Sequence, residues 1–167
     1  TAPARAPRDE VVVEESASFD AASLAKVHVE GPLELRPFQV GEPLWSSTNR
    51  YHWKQVPQNL SDLVFTQFDS QHKGVTEFEI KSTGQVLLAV TSRWGQGGNH
   101  SGGWVEELTT KDEFLAEGWK AVAELDETAD DYGHEHEWVL YRRECKAGER
   151  YRLRTEKYCT PLLFFKK

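Results

Sequence analysis

The residues with the clearest chemical content lie in one glycine-rich stretch. Arg93-Trp94-Gly95-Gln96-Gly97-Gly98-Asn99-His100-Ser101-Gly102-Gly103-Trp104 gathers two indoles, a guanidinium, amides and an imidazole, and Trp119 follows downstream. An indole face stacks on a pyranose ring with the modest energy of aromatic contacts generally, and planar donors and acceptors beside it fix the sugar's orientation. On this reading Arg93, Trp94, Asn99 and His100 contact a glycan, and Trp119 is a second platform. The competing reading makes Trp104 and Trp119 core anchors and the glycines an insertion, because most tryptophans are interior.

Other constellations carry weaker chemistry. Asp126, Asp130 and Asp131 offer the oxygen ligands that Ca²⁺ takes, although their spacing is not that of an EF-hand loop and a solvated acidic turn is the commoner arrangement. His134 and His136 share one face of a strand, as in the metal-binding pair of a cupin. Leu140 and Tyr141 stand where a cupin needs its carboxylate, and no histidine follows His136. In Asn49-Arg50-Tyr51-His52-Trp53, alternation sets Arg50 and His52 against Tyr51 and Trp53. That segment reads either as a polar groove floor or as a structural ion pair over a core tryptophan. Arg50, Tyr51 and His52 also hold the base and charge neutraliser of a polysaccharide lyase. Arg150, Arg152 and Arg154, with Arg142 and Arg143 nearby, either grip acidic sugars bidentately or pair across strands with Glu144, Glu149 and Glu156. The chain has no G-x-S-x-G elbow, H-E-x-x-H helix, P-loop or dinucleotide fingerprint, so the sequence points away from catalysis.

Composition sets the bounds. The 167 residues fit one domain, and 38% hydrophobic residues with 11% aromatics support a core without metal or many disulfides. A net charge of −7 repels phosphate backbones, which argues against nucleic-acid binding. No apolar run approaches the roughly 18 residues of a membrane span, and no basic start with an apolar stretch marks a signal peptide. A chain without Met that opens Thr1-Ala2-Pro3 is expected to be processed or part of a larger multidomain protein. Cys145 and Cys159 fit no zinc spacing; they form a disulfide in an oxidising compartment or stay as buried thiols in a reducing one. Asn59-Leu60-Ser61 and Asn99-His100-Ser101 match the glycosylation sequon, a pattern that also arises by chance.

The elements that must position these residues are short strands. Residues 1–22, rich in Pro, Ala and acids around Val11-Val12-Val13, read as a linker or N-terminal extension, and 23–167 as the domain. Val27 to Leu35 shows strand-like positions broken by Gly and Pro. Leu63 to Phe68 is β-branched and aromatic, Val75 to Lys81 alternates strictly, and Val86 to Val90 reads as a central strand, the last two forming a hairpin. A short helix over 111–117, capped by Thr109 or Thr110 and stopped by Gly118, is the one helical candidate. Trp119 to Leu125 alternates, Trp138 to Glu144 and Tyr151 to Arg154 read as paired strands, and Leu162 to Phe165 closes the domain. Short strands with frequent turns predict an all-β fold, an antiparallel jelly-roll-like sandwich.

Three stretches carry a family resemblance. Leu44-Trp45-Ser46-Ser47-Thr48-Asn49-Arg50-Tyr51-His52-Trp53-Lys54-Gln55-Val56-Pro57 with Leu60, then Trp104-Val105 with Gly118-Trp119-Lys120, then Leu140-Tyr141-Arg142-Arg143 with Ala147-Gly148-Glu149, occur in order. The set resembles an accessory β-sandwich module of large extracellular bacterial proteins, often attached to carbohydrate-active enzymes, over about residues 40–165. The glycine loop and the acidic histidine loop depart from that pattern. The resemblance implies a secreted or surface-located, non-catalytic module that associates with polysaccharide. The alternatives are a domain that docks its neighbours, and a lyase or hydrolase.

Overall fold

An uninterrupted apolar strand needs cover on both faces, and Val86-Leu87-Leu88-Ala89-Val90 is such a run. The computed structural model, which describes residues 21–71, 74–91, 115–129, 137–155 and 160–166, supplies that cover with two sheets. The smaller holds β1 (Val27–Glu30), β6 (Gly74–Ile80) and β10 (Arg150–Thr155) in the order β1-β6-β10. The larger holds β2 (Leu33–Pro37), β3 (Pro43–Trp45), β4 (Thr48–Trp53), β5 (Val64–Phe68), β7 (Gly84–Thr91), β8 (Lys120–Ala129), β9 (Glu137–Cys145) and β11 (Leu162–Phe165). Its order is β11-β7-β9-β8-β4-β3-β5-β2. The fold is all-β and sandwich-like. Its strand pairs are antiparallel except at β3–β5, with a parallel bridge between Leu24 and Gln85.

Two cores follow from the alternation of side chains along the middle strands. Val86, Leu88 and Val90 join Val139, Tyr141, Leu163 and Phe165 against Phe78 and Ile80 of the small sheet. Leu87 and Ala89 join Trp138, Leu140, Leu162 and Phe164 in a second cluster with Phe38, Trp53 and Phe65. That second core lies inside a curl. β5 carries β2 along one edge; on the other edge it meets β11 through Phe65 and Val64, and β3 through Phe68. The large sheet therefore bends until its ends meet across β5. Phe38 fills the curl edge-on to Trp53 at 5.1 Å and to Phe164 at 4.7 Å. Such ring pairs contribute about 0.5–1.5 kcal/mol each beyond their buried area.

The strand positions agree with the sequence reading, but the pairing does not. The expected hairpin of Val75–Lys81 with Val86–Val90 does not form: β6 pairs with β1 and β10, and β7 with β9 and β11. The expected pairing of Trp138–Glu144 with Tyr151–Arg154 fails for the same reason, since β9 and β10 lie in different sheets. A strand with one apolar face suits the outer layer, whereas a strand apolar on both faces must lie in the middle, so each turn crosses between layers. The expected alternation of Trp119 to Leu125 is also interrupted. A bulge between Ala121 and Ala123 sends Trp119 and Ala121 into one core and Ala123 and Leu125 into the other. Gly118 stops its turn as expected, at φ 99°, with its N–H donating to the Leu115 carbonyl at 3.1 Å. Leu115 and Ala116 are helical and Glu117 lies in the turn; 111–114 of the predicted helix lie outside the described residues, as do residues 1–20 of the predicted linker.

The chain enters the fold at Ala25, whose N–H donates to the Gln85 carbonyl at 2.9 Å. This approach needs a bare Cα at residue 84, because a Cβ there would lie 2.6 Å from the Ser23 carbonyl oxygen and 2.8 Å from the Ala25 nitrogen. Gly84→Ala is expected to lower the unfolding free energy by about 1–3 kcal/mol, the cost of overpacking against backbone. Urea denaturation measures it, and an unchanged midpoint would refute the close contact.

Candidate functional site

Closing the curl at β3 leaves little backbone pairing. Trp45 and Phe68 form the β3–β5 pair, and the Ser46 N–H donates to the Phe68 carbonyl at 2.9 Å. Polar side chains hold the rest of this seam. Gln67 Nε2 donates to the Pro43 carbonyl at 2.7 Å, and Ser47 Oγ accepts from the Ser70 N–H at 3.0 Å while sharing a 2.7 Å bond with Ser70 Oγ. Beside them Arg36 Nε donates to Glu42 Oε1 at 2.6 Å. The backbone fixes Glu42 in place: its N–H donates to the Gln39 carbonyl and its carbonyl accepts from the Trp53 N–H, each at 3.1 Å. The Glu42 side chain is 8% exposed and that of Arg36 46%, so the guanidinium sits in the mouth over a buried carboxylate. The bond to Glu42, and then its charge, hold the Arg36 guanidinium more firmly protonated than usual.

Arg36, Glu42, Pro43, Ser47 and Gln67 line an open groove of about 570 Å³, together with Glu34, Ser46, Thr48 and the edge of Trp45. Its size falls in the range of small-molecule sites, about 300–1,000 Å³, although its lining is more polar than most. Glu34 and Gln67 are register partners across β2–β5, and Arg36 lies two residues along on the same face as Glu34. Hydroxyl, amide, carboxylate and guanidinium groups therefore converge here, the donors and acceptors that recognise a polyhydroxylated ligand.

A second cluster is a clasp. Arg143 reaches from β9 to three neighbours. Its Nε donates to the Glu117 carbonyl at 2.7 Å, its Nη1 donates to the Tyr151 hydroxyl, and it lies 3.9 Å from Glu149 Oε2. The Tyr151 hydroxyl donates in turn to Glu149, and its ring stacks on Phe78 at 5.2 Å. Burial and the bond to Glu149 raise the Tyr151 hydroxyl above its ordinary range. The same bond lowers the Glu149 carboxyl. Cys145 beside them is a buried free thiol, pushed up by burial; Cys159 lies outside the described residues.

Few of the residues singled out in the sequence meet at the groove. Arg93, Trp94, Asn99 and His100 lie outside the described residues, as do Asp130, Asp131, His134 and His136. Asp126 is in β8 opposite Glu137, and the described residues contain no cluster of three or more metal-ligating side chains. Trp119 corrects the expectation of a second platform: it is 2% exposed and belongs to the core against the small sheet. In the Arg50-Tyr51-His52 segment the alternation expected from the sequence is seen. Tyr51 is buried in the curl with Trp53, whereas His52 lies on the opposite face at half burial. Arg150 pairs with Glu79 at 3.5 Å and Glu77 at 3.9 Å on β6, while Arg143 is the arginine that meets Glu149, one of the glutamates expected from the sequence. The groove residues Glu34, Arg36, Glu42, Ser47 and Gln67 were not anticipated. One signal was present: Thr66-Gln67 sits inside the apolar run Leu63–Phe68, and buried polar groups require partners.

Solved structures share this fold. A β-glucuronidase from glycoside hydrolase family 2 superimposes with a TM-score of 0.50 at 10% identity, over 82% of this chain and 14% of its own. A GH138 enzyme targeting pectin rhamnogalacturonan II superimposes with a TM-score of 0.54 at 15% identity, over 98% of this chain and 18% of its own. The chain spans less than a fifth of the length of either enzyme. No family model matches the chain, and no curated protein sequence does so significantly.

Two outcomes follow. Trp119→Ala is expected to lower stability by about 3–5 kcal/mol, the cost of emptying a core aromatic site, and to leave any glycan affinity unchanged. Denaturation and calorimetry on the same sample test this, and lost binding at unchanged stability would restore Trp119 as a platform. In the clasp, a carboxyl lowered in the folded state stabilises the fold above its unfolded value near 4.5 and loses that effect as pH falls through the folded value. A hydroxyl raised in the folded state stabilises below its unfolded value near 10 and loses that effect as pH rises. Stability of Glu149→Gln should therefore approach that of the parent chain below about pH 4.5, and Tyr151→Phe should approach it above about pH 10. Parallel urea curves across pH would refute the clasp if either gap stayed constant.

Proposed function

We propose that this domain is a non-catalytic carbohydrate-binding module of a larger extracellular or cell-surface protein, and that the seam groove is its glycan contact. The groove carries the reading: a ligand-sized cleft whose walls present a half-exposed guanidinium, a rim carboxylate, an amide and hydroxyls. Sugars are recognised through such planar and hydroxyl groups. The shared fold lends support, because in a β-glucuronidase and in an enzyme targeting pectin rhamnogalacturonan II it accounts for a small part of a long chain. A part of that size works beside other domains, which fits an accessory role. The family resemblance at Leu44–Leu60, Gly118–Lys120 and Leu140–Glu149 points the same way.

The tryptophans with described side chains are all buried, so this groove grips by hydrogen bonds and not by stacking. Trp94 remains the stacking candidate. Titration calorimetry against a panel of neutral and acidic oligosaccharides tests the proposal. Ser46→Trp places a large ring in the groove mouth without removing a seam side-chain bond, and should weaken binding at least about tenfold, or 1.4 kcal/mol, at unchanged thermal stability. Trp94→Ala should weaken it by a similar factor if its ring stacks on the same ligand. Binding untouched by Ser46→Trp removes the groove from the proposal, and no binding to any glycan removes the module.

A further inference from the structure

We infer that the seam groove selects uncharged sugar residues and rejects uronates. This rests on the glycan-binding reading above and names the class of sugar that the site takes. The argument is one of local charge. The walls hold two carboxylates, Glu34 and Glu42, against one guanidinium, Arg36; the remaining lining, Pro43, Trp45, Ser46, Ser47, Thr48 and Gln67, is neutral. Arg36 is the residue that would otherwise clamp an acidic sugar, because a guanidinium matches a carboxylate with paired N–H donors.

Here that guanidinium is already engaged. Its Nε lies 2.6 Å from Glu42 Oε1, and Glu42 is held in place by both of its own backbone groups. Glu42 is buried, so its charge depends on Arg36 for compensation; an incoming carboxylate competing for Arg36 would strand it. Glu34 is exposed on the same face of β2 two residues away, and its charge is left over. A uronate entering the groove therefore meets a net negative wall and a cation whose charge Glu42 already balances. A hydroxymethyl group in the same position meets neither penalty and faces the exposed Ser46–Ser47 turn. The chain as a whole, at −7, adds a weaker repulsion at long range.

The test compares sugars that differ in charge alone. Cello-, manno- and galacto-oligosaccharides are titrated against the full chain beside their C6-oxidised counterparts, in which the hydroxymethyl groups are uronates. The neutral form should bind at least about fivefold tighter at low salt, the size expected of one partly screened like-charge contact, and the gap should narrow as salt rises. Glu34→Gln should shrink the gap between the neutral and oxidised forms, read as the ratio of the two affinities in the same variant. Equal or tighter binding of the oxidised form overturns the inference and leaves the module reading in place. A gap that persists unchanged in Glu34→Gln also overturns it. Binding of none of these oligosaccharides, together with a blank on the wider panel, overturns the module reading and this inference with it.

Discussion

The architecture depends on strands that are apolar on both faces. Val86–Val90 of β7, Trp138–Tyr141 of β9 and Leu162–Phe165 of β11 are hydrophobic and buried at every position, and one covering layer leaves half of that surface wet. The small sheet covers one face. The large sheet covers the other by turning back on itself and enclosing Phe38, Trp53, Phe65, Phe164 and Trp138. Tryptophan serves there mainly as apolar volume, since the Nε1 atoms of Trp53 and Trp138 are buried without a hydrogen-bond partner. Leaving such donors unpaired is costly, so the packing of these rings must outweigh that cost.

A curled sheet has to close somewhere, and here it closes unevenly. At the β11 side, Phe164 and Phe165 pair with β5, and Thr66 Oγ1 accepts the Leu163 N–H at 3.0 Å inside the core. At the β3 side, the ladder shrinks to one register pair, and Gln67, Ser47 and Ser70 complete the joint. Polar groups concentrate where the backbone cannot satisfy itself. That concentration makes the seam both a structural joint and a concave hydrophilic surface. The same constraint that curls the sheet thus produces the groove.

Strand existence was legible because it is local. Val75–Lys81 alternates and Val86–Val90 does not, and both signals are printed in the chain. The partnership between strands was not legible, because two strands joined by a short turn look like a hairpin until burial on both faces is weighed. That weighing was possible: the contrast between a one-sided β6 and a two-sided β7 already implied different layers. The groove was harder to foresee. Arg36 and Glu42 meet through a turn whose shape depends on bonds from Trp53, and Ser47 meets Ser70 across 23 residues of chain. Neither spacing is a motif.

The residues that carry the family resemblance serve the frame. Tyr51, Trp53 and Leu60 fill the curl, Trp119 and Tyr141 fill the other core, and Arg143 with Glu149 clasps three chain segments around Tyr151. Among the described side chains of that pattern, few reach the groove, and those are the Trp45 edge and the Ser46–Thr48 turn. A likeness resting on such positions transmits how the sheets are held, which is also what the similarity to the two glycoside hydrolases transmits at 10% and 15% identity. The charges beside the seam, Glu34, Arg36 and Glu42, belong to neither core. Two proteins can therefore share this frame and yet differ in the charge of the seam, because the charged side chains there are not the aromatic ones that fill the curl.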